Sequence, residues 1–480
     1  MSELSALSQA VLAGADAEEL AACPLPETYR AAFLRREDQQ IFEGVADKDV
    51  RRSLHLGDVP MPELAPDEVI VAVMAAAVNY NTVWSATFEP VPSFRFLRDL
   101  GRRGGWDARH ARDYQVVGSD AAGVVVRVGV AVRHWKVGDK VVVAPPVIDE
   151  QEAISQEDGM LSAGMRAWGF ETNFGAFGHY AVAKATQLVP KPAHLSWEEA
   201  ACNTLCLGTA YRMLIGAHGA RIKMGDVVLI WGATGGLGAY AVQLVLQAGG
   251  IPVGVVGSAD KADLLERLGC RHVINRQEVG FLDGNENADS MEHWRALGAA
   301  IRKQAGEDPH VVFEHVGRNT FGASVFVARR GGAVVTCGSS TGYAHRYDNR
   351  YLWMKLKRVI GSHGANYQES VEANRLLELG LVVPALSTVH PLDEVAEATR
   401  SVQVNAHAGK VGVLCLAPQE NLGIEDPLLR ERIGESKLRL FRDHAQESAA
   451  RKAAVRESVA GQAPDSDSRV RSPELVGLTS

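Results

Sequence analysis

The sequence predicts an α/β chain in which a β-rich domain is split around a doubly wound, parallel-sheet domain. Three observations carry that expectation. The apolar run Val227-Val-Leu-Ile230 leads into Trp231-Gly-Ala-Thr-Gly-Gly-Leu-Gly238, and the helical run Ala239-Tyr-Ala-Val-Gln-Leu-Val-Leu-Gln247 follows. That order is strand, glycine turn, helix. From about 206 to 362 short apolar runs alternate with helical patterns, as a parallel sheet with crossover helices requires. On both sides of that stretch the text is strand-like. Examples are Glu68-Val-Ile-Val-Ala-Val-Met74, Gly123-Val-Val-Val-Arg-Val-Gly129 and Lys140-Val-Val-Val-Ala144 before it, and Lys410-Val-Gly-Val-Leu-Cys-Leu416 after it.

In chain order, residues 1–45 read as helical, with Pro24 and Pro26 as a break. Val137-Gly-Asp139 and Met224-Gly-Asp226 are turn signals ahead of strands. Within the parallel sheet, Ile251-Pro-Val-Gly-Val-Val-Gly257, His272-Val-Ile-Asn275, Val311-Val-Phe313 and Ala333-Val-Val-Thr-Cys337 supply further strands. The segment 277–308 is long for a crossover and reads as an accessory element or a subunit contact. Residues 425–445 are charged and helix-compatible, suited to docking on the body, and 446–480 lack aromatics and read as a disordered tail. The expected division is 1–205 (first part of the β-rich domain, with a helical N-terminal extension), 206–362 (dinucleotide domain), 363–445 (second part) and 446–480 (tail). No internal repeat is evident.

Composition narrows the class. The chain has 480 residues, 46% of them hydrophobic and 22% charged, with a net charge of −8. That fits a soluble globular protein and argues against a generic nucleic-acid surface. The N-terminus carries acid before base and has no long apolar core, unlike a signal peptide. No apolar run approaches the roughly 20 residues that cross a bilayer. The six cysteines are scattered, with no disulfide framework or zinc-ribbon spacing. Cys202 and Cys206 share a helix face and read as buried thiols. A cytosolic protein is expected.

The glycine turn is suited to a dinucleotide. Its glycines let the backbone approach a pyrophosphate, whose charge meets helix N-terminal N–H groups. The candidate residues are Gly232, Thr234, Gly235, Gly236, Leu237 and Gly238. An NAD site places a carboxylate at the end of the next strand, about 20 residues on, to bind the ribose 2′-hydroxyl. Here the strand end offers Ser258 and Lys261, with Arg276 after the third strand. These suit a 2′-phosphate, so NADPH is expected as cofactor. Asp260, the dissenting carboxylate, reads as a helix cap.

A narrower resemblance rests on several motifs together. Trp168-Gly-Phe-Glu-Thr-Asn-Phe-Gly-Ala-Phe177, Trp197-Glu-Glu-Ala-Ala201, Thr209-Ala-Tyr-Arg-Met-Leu214, Val312-Phe-Glu-His315, Arg350-Tyr-Leu-Trp-Met354 and Gly361-Ser-His-Gly-Ala-Asn366 resemble the crotonyl-CoA carboxylase/reductase family. That family lies within the medium-chain dehydrogenase/reductase superfamily. The resemblance implies a GroES-like catalytic domain around a Rossmann domain, and a homotetramer of paired dimers. It also implies reductive carboxylation of a 2-enoyl-CoA by NADPH and CO2, giving an alkylmalonyl-CoA. Zinc-bearing members of the superfamily carry a Gly-His-Glu segment; here Gly118-Ser-Asp120 stands there, with Ser119 for the His, so no metal is expected.

By resemblance, Asn81, Phe170, Glu171 and His363 are the catalytic group. Thr209, Gly338 and Ser339 lie near the nicotinamide, and Arg350 and Tyr351 contact CoA. Arg346, Lys355, Lys357 and Arg358 crowd the same segment. Crotonyl-specific members read Ser-His-Phe-Ala-Asn where this chain has Gly364, and Ala163, placed near the acyl tail, is also small. Each extra buried methylene contributes about 0.8 kcal/mol, so a longer or branched enoyl chain is expected.

These residue types suit the chemistry. Hydride addition at the β-carbon leaves an enolate that takes either a proton or CO2. Carboxylation therefore needs neutral donors that fix CO2 and a site that excludes proton donors. Asn81 and His363 have the donors, Glu171 is an acceptor suited to orienting His363 or a water, and Phe170 offers a backbone N–H and an apolar wall. Other readings stay open. A plain 2-enoyl-CoA reductase would protonate the enolate, with Tyr80 beside Asn81 as a donor. A quinone reductase needs no basic CoA segment. A non-catalytic NADPH-binding or RNA-binding protein would not need a complete site.

Overall fold

A computed structural model describes residues 4–280 and 290–460, with side chains through 454. Six parallel strands form the dinucleotide sheet, in the spatial order His272–Asn275, Ile251–Val256, Val227–Ile230, Val311–Glu314, Ala333–Thr336, Arg358–Gly361. The chain reverses direction across the sheet between Val227–Ile230 and Val311–Glu314, where open α/β sheets bind ligands. Alternate residues serve opposite faces. Val228 and Ile230 pack under the helices Thr204–Leu214 and Gly236–Gln247, while Val227 and Leu229 pack against Trp294, Leu297 and Ile301. The inner strands Val227–Ile230 and Val311–Glu314 are therefore buried along their whole length, because both faces are covered.

The β-rich domain centres on the strand Glu68–Val78, buried along its whole length. It pairs with Ala121–Val128, Lys410–Leu414 and Tyr180–Lys184. Val69, Val71 and Val73 face one core and Ile70, Ala72 and Met74 another. Lys410–Leu414 comes from beyond the dinucleotide sheet in sequence, so the chain crosses out of this domain and returns to it.

Three expectations change. The helical text over 1–45 yields the helices Ala6–Ala13 and Ala17–Ala22, but Thr28–Arg35 is a strand. It pairs with His55–Pro60 and Tyr114–Val116, and that long-range pairing overrides local helix propensity. The described part of 277–308 contains Met291–Ala305, an ordinary crossover helix whose Trp294, Leu297 and Ile301 pack on the sheet, rather than an accessory element. Residues 281–289 lie outside the described residues. The segment expected to be disordered from 446 instead continues the helix Leu440–Ala460, and 461–480 lie outside the described residues. Its start docks through buried Phe441 and through Arg442, which pairs with Glu198 at 3.1 Å.

Candidate active site

The glycine turn has the geometry of a phosphate cradle. Gly232 has φ +55°, and a Cβ there would lie 3.2 Å from His315 Cε1. A Cβ on Gly238 would lie 2.3 Å from the Gly232 carbonyl oxygen, so the helix Gly236–Gln247 approaches the strand end closely only without a side chain. His315 Nε2 donates to the Trp231 carbonyl at 2.9 Å, and burial pushes the ring below its usual range, so it stays neutral. Beneath it the buried Glu314 carboxylate accepts from Val316 N (2.8 Å), Gly317 N (3.0 Å), Thr320 Oγ1 (2.9 Å) and Ser324 Oγ (2.6 Å). Glu314 and His315 were assigned no role from sequence. Their position at a strand end next to the switch point was the available signal.

The cluster expected at the adenosine end is brought together. Ser258 caps the helix Ala259–Arg267 by accepting from Lys261 N–H at 3.3 Å. The Arg276 guanidinium lies against Gly257, 3.3 Å from where a Cβ would be. Burial, then Arg276 and Lys452, push the Lys261 ammonium below its usual range. Asp260 is not the cap. Ser258 takes that place, and Asp260 turns to the C-terminal helix, accepting from Ser448 Oγ at 2.9 Å and pairing with Arg451.

Between the domains lies a buried polar knot. Asp120 Oδ2 accepts from Lys410 Nζ at 2.9 Å and Asn79 Nδ2 at 2.8 Å. Its Oδ1 accepts from Thr204 Oγ1 at 2.6 Å and Leu205 N at 2.8 Å. Next to Lys410, Gly409 N donates to Thr234 O at 2.6 Å, which ties the knot to the glycine turn. Cys202 and Cys206 sit here as buried thiols, pushed up by burial to about 12 and about 11.

Asn81 stands in the first turn of the helix Tyr80–Thr87 and donates through Nδ2 to Ser119 Oγ at 2.7 Å, while its own Oδ1 is buried without a partner. Tyr80 and Asn81 are consecutive on this helix and so differ by one helical step. Tyr80 is partly exposed, its ring edge-on to Trp84 at 5.4 Å, and partial burial of the phenol raises its pKa. Trp84, on the same helix, lies 6.4 Å from the Phe170 ring and 3.9 Å from a Cβ built on Gly338. Phe96 adds a second ring at 6.2 Å from Phe170. Phe170 and Gly338 thus both neighbour Trp84, three residues on from Asn81 along the helix. Trp84 and Phe96 were missed as neighbours of Phe170, because an aromatic on a helix also fits a core, and Ser119 was missed as the partner of Asn81.

Other expected residues have different partners. The Phe170 N–H donates to Ala167 O at 3.2 Å, which leaves the ring as its free surface. Glu171 Oε2 accepts from Ala167 N at 2.8 Å, and among the described residues no hydrogen bond joins it to His363. His363 is exposed, just past the strand Arg358–Gly361. Gly364 has φ +54°, which by itself favours glycine, and a Cβ there would lie 3.1 Å from the Met160 methyl. The segment is anchored by Asp158, which accepts from Asn366 Nδ2 at 3.1 Å and pairs with buried Arg212; Arg212 also donates to Glu369 at 2.8 Å. Thr209 is buried on the helix Thr204–Leu214, and Ser339 Oγ donates to Gly342 O at 2.5 Å. Ala163 is exposed, with its N–H on Glu152 at 3.3 Å.

The basic segment divides. Arg350 is exposed and forms a bidentate pair with Asp348, and Tyr351 packs edge-on to Phe326 at 4.8 Å. Lys357 is not available to a ligand. Its buried Nζ donates to Val325 O at 2.7 Å and Phe326 O at 3.0 Å, and burial pushes it down to about 8. Among the described residues no group of three or more His, Cys, Asp or Glu is placed to hold a metal ion.

Residues 65–193 match the family described as alcohol dehydrogenase GroES-like domain, and residues 236–379 the family described as zinc-binding dehydrogenase. Crotonyl-CoA reductase of Streptomyces avermitilis is 50% identical over 416 residues, covering 86% of this chain and 94% of that protein. Crotonyl-CoA carboxylase/reductase of Cereibacter sphaeroides is 40% identical over 408 residues, covering 83% and 90%. A solved structure of the 2-octenoyl-CoA carboxylase reductase CinF, in complex with NADP and 2-octenoyl-CoA, superposes with a TM-score of 0.90 at 59% identity, covering 91% of this chain and 99% of that one.

Proposed function

Because the chain belongs to the crotonyl-CoA carboxylase/reductase family, we propose that it reduces a medium-chain 2-enoyl-CoA and carboxylates the resulting enolate to an alkylmalonyl-CoA. It is an NADPH-dependent oxidoreductase of that type. The observation that carries the substrate class is the likeness across nearly the whole chain to the octenoyl-CoA carboxylase reductase.

The residues present fit the dinucleotide, since Gly232 takes a left-handed φ and Gly238 lets the helix N-terminus close on the turn. Bound NADPH supplies the hydride. The turn 232–238 and the helix N-terminus behind it hold the pyrophosphate. Ser258, Lys261 and Arg276 hold the 2′-phosphate. Thr209, Gly338 and Ser339 border the nicotinamide.

At the other end, Asn81 is the donor that holds a CO2 oxygen. A buried Oδ1 without a partner costs about 1–3 kcal/mol. The Asn81 Nδ2 carries two N–H groups, one of which is donated to Ser119 Oγ, and the second is the donor offered to CO2. Phe170, with Trp84 and Phe96, excludes water from the enolate. Glu171 braces its own loop, and His363 supplies a second donor. Arg350 and Tyr351 meet the CoA nucleotide. Ala163 and Gly364, beside Met160, border the acyl tail, so Met160 sets the depth there.

NADPH oxidation against 2-enoyl-CoAs of increasing length, with isotopic bicarbonate and mass analysis of product, tests this reading. We expect the rate to peak beyond crotonyl-CoA and the label to enter the acyl product. A profile peaking at crotonyl-CoA removes the medium-chain assignment. The competing reading, protonation of the enolate, is favoured by exposed Tyr80 beside Asn81. Unlabelled saturated acyl-CoA under high bicarbonate would decide for it.

The proposed assembly is a homotetramer. The edge strand Arg358–Gly361 is largely exposed, and Trp353 (61%), Met354 (53%) and Leu356 (65%) stand beside it. Val359→Asp is expected to shift the species seen by light scattering to a smaller one. An unchanged mass would remove this edge from the interface.

A further inference from the structure

We propose that the C-terminal helix Leu440–Ala460 sets the preference for NADPH over NADH by holding the Asp260 carboxylate out of the ribose pocket. Asp260 is the acid nearest the end of the second strand, in the first turn of the helix that Ser258 caps. A carboxylate in that region accepts the 2′-hydroxyl of NADH and repels the 2′-phosphate of NADPH. Here both of its oxygens are engaged on the far side. Oδ2 accepts from Ser448 Oγ at 2.9 Å and lies 3.4 Å from His444 Nε2, and Oδ1 pairs with Arg451. Arg267 and Glu447, paired at 2.9 Å, hold the same two helices together.

Burial pushes Asp260 up, but Ser448, Arg451 and His444 outweigh it and keep the carboxyl below its usual range. The acid thus stays ionised, with its charge spent on the C-terminal helix. On the pocket side Lys261 is crowded by Arg276 and by Lys452, the residue after Arg451. Asp260 still acts on Lys261, but less strongly than Arg276 and Lys452 do, so the helix turns a negative charge away from the pocket and adds a positive one beside it. Ser448 and Arg451 are positioning residues, since neither is proposed to touch the cofactor.

This inference rests on the proposed 2′-phosphate site of Ser258, Lys261 and Arg276. The test compares binding of 2′,5′-ADP and 5′-AMP to the full chain by calorimetry, together with KM and kcat for NADPH and NADH. The S448A/R451A double variant is expected to weaken 2′,5′-ADP about tenfold, as a like charge returned to the pocket requires, and to leave 5′-AMP little changed. Its NADPH KM rises while kcat at saturation holds. Adding Asp260→Asn restores 2′,5′-ADP binding, and Arg451→Lys alone keeps the preference. Equal weakening of both probes, an unchanged ratio, or no rescue by Asp260→Asn overturns the proposal. Arg276→Ala separates the two levels. If it abolishes the preference for 2′,5′-ADP while S448A/R451A does not, only the role of the helix fails; if it leaves the preference intact, the phosphate site fails and the proposal with it.

Discussion

Replacing Lys410 by Met is expected to cost about 3–5 kcal/mol of stability, because it strands a buried carboxylate. Lys410 and Asp120 are 2% and 0% exposed and 2.9 Å apart. Burial pushes the ammonium down, but Asp120 outweighs it and holds Lys410 above its usual range. A value raised above the unfolded 10.5 means that this contribution is complete at neutral pH and is lost only as pH rises through the folded value. Denaturant unfolding of Lys410→Met measures the loss. The double variant with Asp120→Asn should recover part of it, since the orphaned charge is gone. Cofactor affinity should fall as well, because Gly409 donates to Thr234 in the glycine turn at 2.6 Å. A Lys410→Met protein as stable as the parent would show that the knot is solvated in solution.

The second large effect is on product rather than stability. Asn81→Ala is expected to lower the rate of label incorporation from bicarbonate about 10²–10³-fold, the usual consequence of removing one fixed donor from a developing charge. Saturated acyl-CoA should replace the carboxylated product, while NADPH oxidation persists. Stability should change little, because Asn81 is half-buried and its one side-chain bond is to Ser119. Incorporation at the parent rate would remove Asn81 from CO2 capture.

Much of the candidate site is written locally. The glycine turn, Ser258 and Lys261 lie within one strand–turn–helix–strand–helix stretch, where periodicity and turn chemistry act on neighbours in sequence. Ser119, opposite Asn81, was visible as the residue at a metal-ligand position, but its hydrogen bond was not. Trp84 and Phe96 were not legible, because an aromatic on a short helix packs a core or walls a cleft equally well. Lys357 misled for a related reason. A basic run gives no sign of which lysine is buried to cap the helix Phe321–Val327.

The sequence alone determined the dinucleotide turn, written in contiguous residues, and the split α/β architecture, written in the alternation of strand-like and helical runs; the resemblance of several separated motifs pointed to the family. The tertiary structure decided which charges meet. Lys410 finds Asp120 from 290 residues away, and Arg451 finds Asp260 from 191. It also decided that Thr28–Arg35 is a strand, since its partners lie further along the chain. A side chain's local text is the same whether its partner is water or a distant carboxylate. Burial selects between them, and burial is a property of the whole chain.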